Sequence, residues 1–108
     1  MSESVALTET TYYILLSLYT PLHGYGIMQR AAELSGGRIR LAAGTLYGAL
    51  NAMTEKGWIR LLPGAGRKKE YMLTPMGLEV LEKELARLRQ LVASGDLVMK
   101  EERKCLSE

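Results

Sequence analysis

Cysteine is nearly missing from this 108-residue chain: Cys105 stands alone, so no disulfide can form within it. A single thiol in a polar tail fits a reducing cytoplasm better than a secreted, disulfide-stapled protein. Histidine is as scarce, His23 being the sole example, and its place at a helix start suits a capping role. Neither residue has a third member with which to build a nucleophilic site. No metal-ligand spacing occurs, and Gly24-Tyr25-Gly26 is too short to count as a phosphate-binding loop. The chain is therefore read as a non-enzyme with no metal and no cofactor. Long apolar runs are lacking too. The longest, Tyr12 to Tyr19, is far short of the roughly 20 residues that a bilayer demands. Met1-Ser2-Glu3-Ser4 has neither the basic start nor the apolar run of a secretory signal. No repeat or low-complexity tract is visible, and the length suits one domain.

What the chain does have is an uneven charge. Hydrophobic residues make up 47% and charged residues 24%, the balance of an ordinary globular protein, with a net charge of only +2. Yet seven bases (Arg38, Arg40, Lys56, Arg60, Arg67, Lys68, Lys69) face only Glu55 and Glu70 between residues 36 and 72. Attraction to a polyanion would be focused in that middle third. A solvated face without a partner accounts for the charges equally well.

Local signals then divide the chain. Thr8 is placed to cap a first helix carrying Tyr12, Leu15, Leu16, Leu18 and Tyr19, ended by Pro21. A second helix opens at His23-Gly24-Tyr25-Gly26 and runs to about Leu34, where Ser35-Gly36-Gly37 breaks it. Arg38-Ile39-Arg40-Leu41 alternates polar and apolar, which predicts a short strand. A third helix spans Ala43 to Lys56 and stops at Gly57. Trp58 to Leu62 and Arg67 to Leu73, separated by Pro63-Gly64-Ala65-Gly66, read as a hairpin with a basic tip. Thr74-Pro75 starts a fourth helix, in which Leu78, Leu81, Leu85, Leu88 and Val92 form a heptad-like seam. Gly95-Asp96 is expected to break or bend it.

This order predicts a mainly α fold with a small β-hairpin: a winged helix-turn-helix plus a C-terminal dimerisation helix. Residues 1–74 form the winged-helix unit and 75–108 the dimerisation helix and tail, together one structural unit. In such folds the third helix enters the major groove and the wing lies along the phosphates. At about 100° per residue, Leu46, Ala49, Leu50 and Met53 share one buried face. Gly44, Tyr47, Gly48, Asn51 and Glu55 occupy the other. Gly44 and Gly48 add no bulk, which permits close approach to a surface. Thr45, at the positive end of the helix, and the hydroxyl of Tyr47 suit phosphate contacts. Asn51 carries the donor and acceptor that match adenine. A ring at the core margin remains the alternative for Tyr47, and a merely solvated side chain for Asn51. Arg67, Lys68 and Lys69 suit phosphate contacts by the wing, with Gly64 and Gly66 giving its tip freedom. Arg38 and Arg40 either reach flanking phosphates or keep an edge strand soluble.

The fourth helix is long enough for its leucines to pass beyond a small wing domain at about 1.5 Å per residue. Its first leucines help cover their own core. The stripe Leu81, Leu85, Leu88 and Val92 is expected to form a dimer interface that sets two recognition helices against an inverted repeat.

Thr8 to Leu15, Pro21 to Tyr25, Gly44 to Leu50 and Lys69 to Gly77 together resemble the PadR-like family of regulators, from about residue 5 to residue 93. The resemblance implies a dimeric transcriptional repressor that contacts double-stranded DNA through Thr45, Tyr47, Asn51 and the basic wing, with Tyr12 either assisting that surface or serving the core. The short C-terminal part is similar to that of the smaller members. Some relatives bind flat aromatic drugs between tryptophans of the dimer helix, or respond to phenolic acids. Here the one tryptophan, Trp58, opens the wing, where anchoring is its expected job. Two other classes stay open: a winged helix used for protein–protein contact, and a sensor with a small aromatic or phenolic ligand at its dimer interface.

Overall fold

The computed structural model describes residues 6–63 and 69–106. Its elements run α1 (Glu9–Ser17), β1 (Leu22–His23), α2 (Gly24–Leu34), α3 (Ala43–Glu55), β2 (Ile59–Leu61), β3 (Glu70–Leu73) and α4 (Pro75–Leu106). Thr8 caps α1 as its residue type suggests, accepting the N–H of Thr11 at 3.1 Å. The helix ends before Pro21, at Ser17, which leaves Tyr19 exposed rather than on a packed face.

The three strands form one antiparallel sheet in the order β1-β3-β2. Leu22 pairs with Tyr71 and His23 with Glu70, while Ile59, Arg60 and Leu61 pair with Leu73, Met72 and Tyr71. The two arms of the hairpin thus pair as expected, its turn at residues 64–66 lying outside the described residues, but the third strand does not form where expected. It is Leu22–His23, and Arg38 to Leu41 is irregular chain before α3. The reason is local bonding. Buried Ser35 accepts the N–H of Ile39 at 2.9 Å and donates to Ala32 at 3.2 Å, and the Arg38 guanidinium pairs with Glu9. Those bonds hold the segment to α1 and α2 and remove it from any sheet edge.

Ile14, Leu15, Leu18, Ile27, Leu46, Leu50, Met53, Ile59 and Leu81 make one core, with Tyr12 and Trp58 packed at its margin. Leu81 is only 5% exposed and faces its own domain. It therefore leaves the expected dimer stripe, because a side chain enclosed within its own core has no surface left for a partner. The expected break at Gly95 is also absent. α4 is one helix of 32 residues. A single glycine costs a helix only about 1 kcal/mol, too little to interrupt one with good formers on both sides.

The start of α4 is fixed by a tight turn. Thr74 donates its hydroxyl to the Gly57 carbonyl at 2.5 Å and its N–H to Trp58 at 3.0 Å, and its hydroxyl oxygen accepts from Gly77 at 3.0 Å. Further along, Glu84 is a charged side chain in the core, 2% exposed. Hydrogen bonds from Arg87 (2.7 and 2.8 Å) hold its carboxyl below the ordinary carboxylate range, against the burial that would raise it; the Leu7 N–H at 3.2 Å assists.

A pH dependence follows. The unfolded carboxyl titrates near pH ~4.3, and the folded one lower, so the native state binds fewer protons across that interval. The stabilisation is full above about pH 5 and is lost as acid takes the carboxyl through its folded value. Glu84→Gln should cost about 2 kcal/mol at neutral pH. The melting curves of variant and parent should converge as the pH falls below ~4; a constant gap would show that the charge is irrelevant.

Candidate nucleic-acid interface

Among the described residues no group of three His, Cys, Asp or Glu side chains is arranged to hold a metal, and no helix is long and apolar enough to cross a membrane. The feature that stands out is α3. Leu46, Leu50 and Met53 seat it in the core, which turns Gly44, Thr45, Tyr47, Gly48 and Asn51 outward, all of them exposed. The sequence wheel and the structure agree on this face.

Two details sharpen it. A Cβ on Gly44 or Gly48 would meet nothing within 4 Å. Among the described residues no packing therefore calls for glycine at either position, although each weakens the helix by roughly 0.5–1 kcal/mol relative to alanine. The first turn, moreover, lacks a side-chain cap. Ala42 stands at the N-cap of α3, whereas Thr8, His23 and Thr74 bond the first turns of the other three helices. The leading N–H groups of α3 are thus left to solvent or to an incoming acceptor.

Tyr47 is not among the residues packed on the core. It is 46% exposed, yet its ring end rests on Gly24, the first residue of α2. His23 holds that end of α2 by accepting the Gly26 N–H on Nδ1 at 3.1 Å, so capping is indeed what the histidine does. A Cβ on Gly24 would sit 2.9 Å from Cζ of Tyr47 and closer still to its hydroxyl. The need for glycine there, and the exposed Tyr25 beside it, were not visible in sequence, because the partner lies 23 residues away. Gly24→Ala should cost under ~1 kcal/mol of stability, since a half-exposed ring can swing aside. It should nonetheless displace the Tyr47 hydroxyl and weaken nucleic-acid binding in a titration. Unchanged affinity would remove Tyr47 from the interface.

Arg38 and Arg40 have separate fates. Hydrogen bonds to Glu9 and then Tyr13 raise the pKa of Arg38 and secure the segment leading into α3. Arg40 is exposed at the approach to α3. At the wing, Lys69 is exposed just before β3, while Gly64, Gly66, Arg67 and Lys68 lie outside the described residues. Trp58 anchors the wing base: its ring lies 4.7 Å from the Lys56 ammonium and its carbonyl beneath Gly77.

A sequence profile of the transcriptional regulator PadR-like family matches residues 13–83. The chain belongs to that family. Its PadR-like fold is similar to that of a PadR family transcription regulator from Clostridium difficile R20291, with a TM-score of 0.73, 24% identity, and coverage of 85% of this chain and 99% of that one. PadR from Bacillus subtilis, solved in complex with operator DNA, shares 25% identity at a TM-score of 0.59, over 70% of this chain and 44% of that one. A curated relative, an uncharacterized 37.1 kDa protein in transposon TN4556 of Streptomyces fradiae, is 42% identical over 71 residues. Those residues are 66% of the present chain, which spans about a fifth of that relative, 20% of it being matched. This PadR-like chain is thus a winged-helix member of a family of regulators, not of enzymes.

Proposed function

We propose that this PadR-like regulator represses transcription in the cytoplasm by binding an inverted-repeat operator as a homodimer. In this reading α3 enters the major groove. Thr45 and Tyr47 meet phosphates, Asn51 reads a base, and Arg67, Lys68 and Lys69 follow the backbone. The observation that carries it is the outward face of α3, where two glycines with open space above them leave the helix backbone within reach of a surface. The operator complex of Bacillus subtilis PadR supports the same use of the fold. The partner copy would meet the distal half of α4. There Leu85 and Leu88 are half-buried, while Leu91 (55%), Val92 (62%), Val98 and Met99 are exposed on a helix that has left its own core. Release by a small aromatic or phenolic ligand at that junction would appear as a ligand-dependent rise in melting temperature.

Selection of bound duplexes from a random pool tests the reading. A two-fold symmetric motif is expected. Asn51→Ala should relax one base position per half-site by about 1–3 kcal/mol of discrimination. Replacing Lys68 and Lys69 with alanine should weaken all sequences alike and lower the salt slope by roughly 1 for each phosphate that is no longer neutralised. No enrichment at near-physiological salt would favour a protein–protein module instead.

A further inference from the structure

α4 leaves the body of the domain at a single point. Gly77, Leu81 and Glu84 are buried along it, Glu84 is the last such residue among those described, and every described side chain from Arg89 to Glu101 is exposed. At that exit stands the carboxylate of Glu84, which accepts Nε–H and Nη2–H of Arg87 at 2.7 and 2.8 Å and the Leu7 N–H at 3.2 Å. Leu7 packs on the core and precedes the Thr8 cap of α1, so one buried carboxylate joins the start of the first helix to the last anchored turn of the fourth. The packed side chains beside it, such as Leu81 and Val80, are apolar and non-directional; the carboxylate bonds are directional. Buried ion pairs add little stability over a well-packed apolar substitute, and a role in fixing geometry gives a reason for charge at this place.

We infer that Glu84 is a positioning residue that sets the angle at which α4 projects, and through it the separation of the two α3 helices on DNA. The inference rests on the operator-binding homodimer described above. Recognition helices on successive major grooves lie about 34–36 Å apart, each roughly 17 Å from the two-fold axis. Where the arm from the exit point to α3 runs across the line joining the two helices, a tilt of about 5° on an arm of roughly 17 Å moves each helix ~1.5 Å along that line, together near one base-pair step. Arg87 stands on α4 itself and only holds the carboxylate in place; the bond from the Leu7 N–H, which comes from outside the helix, is the one that fixes the exit angle and so the half-site spacing.

The test uses the full-length chain and duplexes that carry the two selected half-sites at the best spacing, one base pair shorter and one longer. The parent should favour its best spacing by roughly tenfold, the scale of one mismatched pair. Glu84→Gln should flatten that preference to about twofold or shift its optimum, while half-site sequence preference and salt slope stay as in the parent. Should Glu84→Gln fail to fold, the double variant Glu84→Met with Arg87→Leu replaces the pair by apolar groups that keep the helix packed, and the same flattening is expected. A folded variant with the parent's spacing preference overturns the inference and leaves the regulatory reading intact. A parent indifferent to spacing, or to every duplex, overturns the two-fold reading and this inference with it.

Discussion

Gly48→Leu should raise the melting temperature of the protein and destroy its operator binding. The two effects have opposite signs because they arise on opposite sides of one surface. Among the described residues a Cβ at Gly48 would meet nothing within 4 Å, and the position is exposed, so the added side chain starts out into open space. It replaces the weakest ordinary helix former by a strong one, a gain of about 0.5–1 kcal/mol and a few degrees of melting temperature. In the proposed complex the same side chain would stand between the helix and the groove floor. Affinity should drop toward the sequence-independent level, on the order of 10³-fold or more, with Gly48→Ala in between. Gly44→Leu should behave likewise. A Gly48→Leu protein that melts higher and still binds its operator would mean that α3 does not lie in the groove by this face.

Gly77→Ala should strongly destabilise the fold. Here the missing Cβ is a requirement of the chain itself. A methyl group at Gly77 would lie 2.8 Å from the carbonyl carbon of Trp58 and closer to its oxygen, and both are backbone atoms in the turn between α3 and β2. That turn cannot yield, because Gly57 before it holds a left-handed conformation at φ +80° and Thr74 bonds both Gly57 and Trp58. The first turn of α4 would have to lift from the sheet. A destabilisation of about 3 kcal/mol or more is expected, lowering the melting temperature by on the order of 10–20 °C. Thermal unfolding followed by circular dichroism measures it, and a change within ~2 °C would show that the junction is slack.

These two glycines also mark how far the sequence could be read. The faces of α3 and the stops at Gly57 and Thr74-Pro75 follow from periodicity and capping chemistry, and both signals are local. The close approach at Gly77 is not local: its partner is a carbonyl 19 residues earlier, and a glycine in the first turn of a helix carries no mark of what lies above it. The same holds for β1. Two residues are too few to show a period, and Leu22–His23 become a strand only because Glu70 and Tyr71 lie alongside. Arg38 to Leu41 had the alternation of a strand without a partner edge. Glu84 and Arg87 have the spacing of an ordinary surface pair, and nothing in that spacing tells that the carboxylate is enclosed. The chemistry of the α3 face was legible by residue type, whereas the hold of Gly24 on Tyr47 required the fold.

Because β3 is flanked by both β1 and β2, the returning arm of the wing is stitched to the residues that start α2, and α2 in turn carries the glycine on which Tyr47 rests. The hairpin is therefore tied to the helical part of the domain rather than standing as an independent finger. On the proposed reading, backbone grip by the wing and base reading by α3 should therefore engage and let go together rather than one after the other.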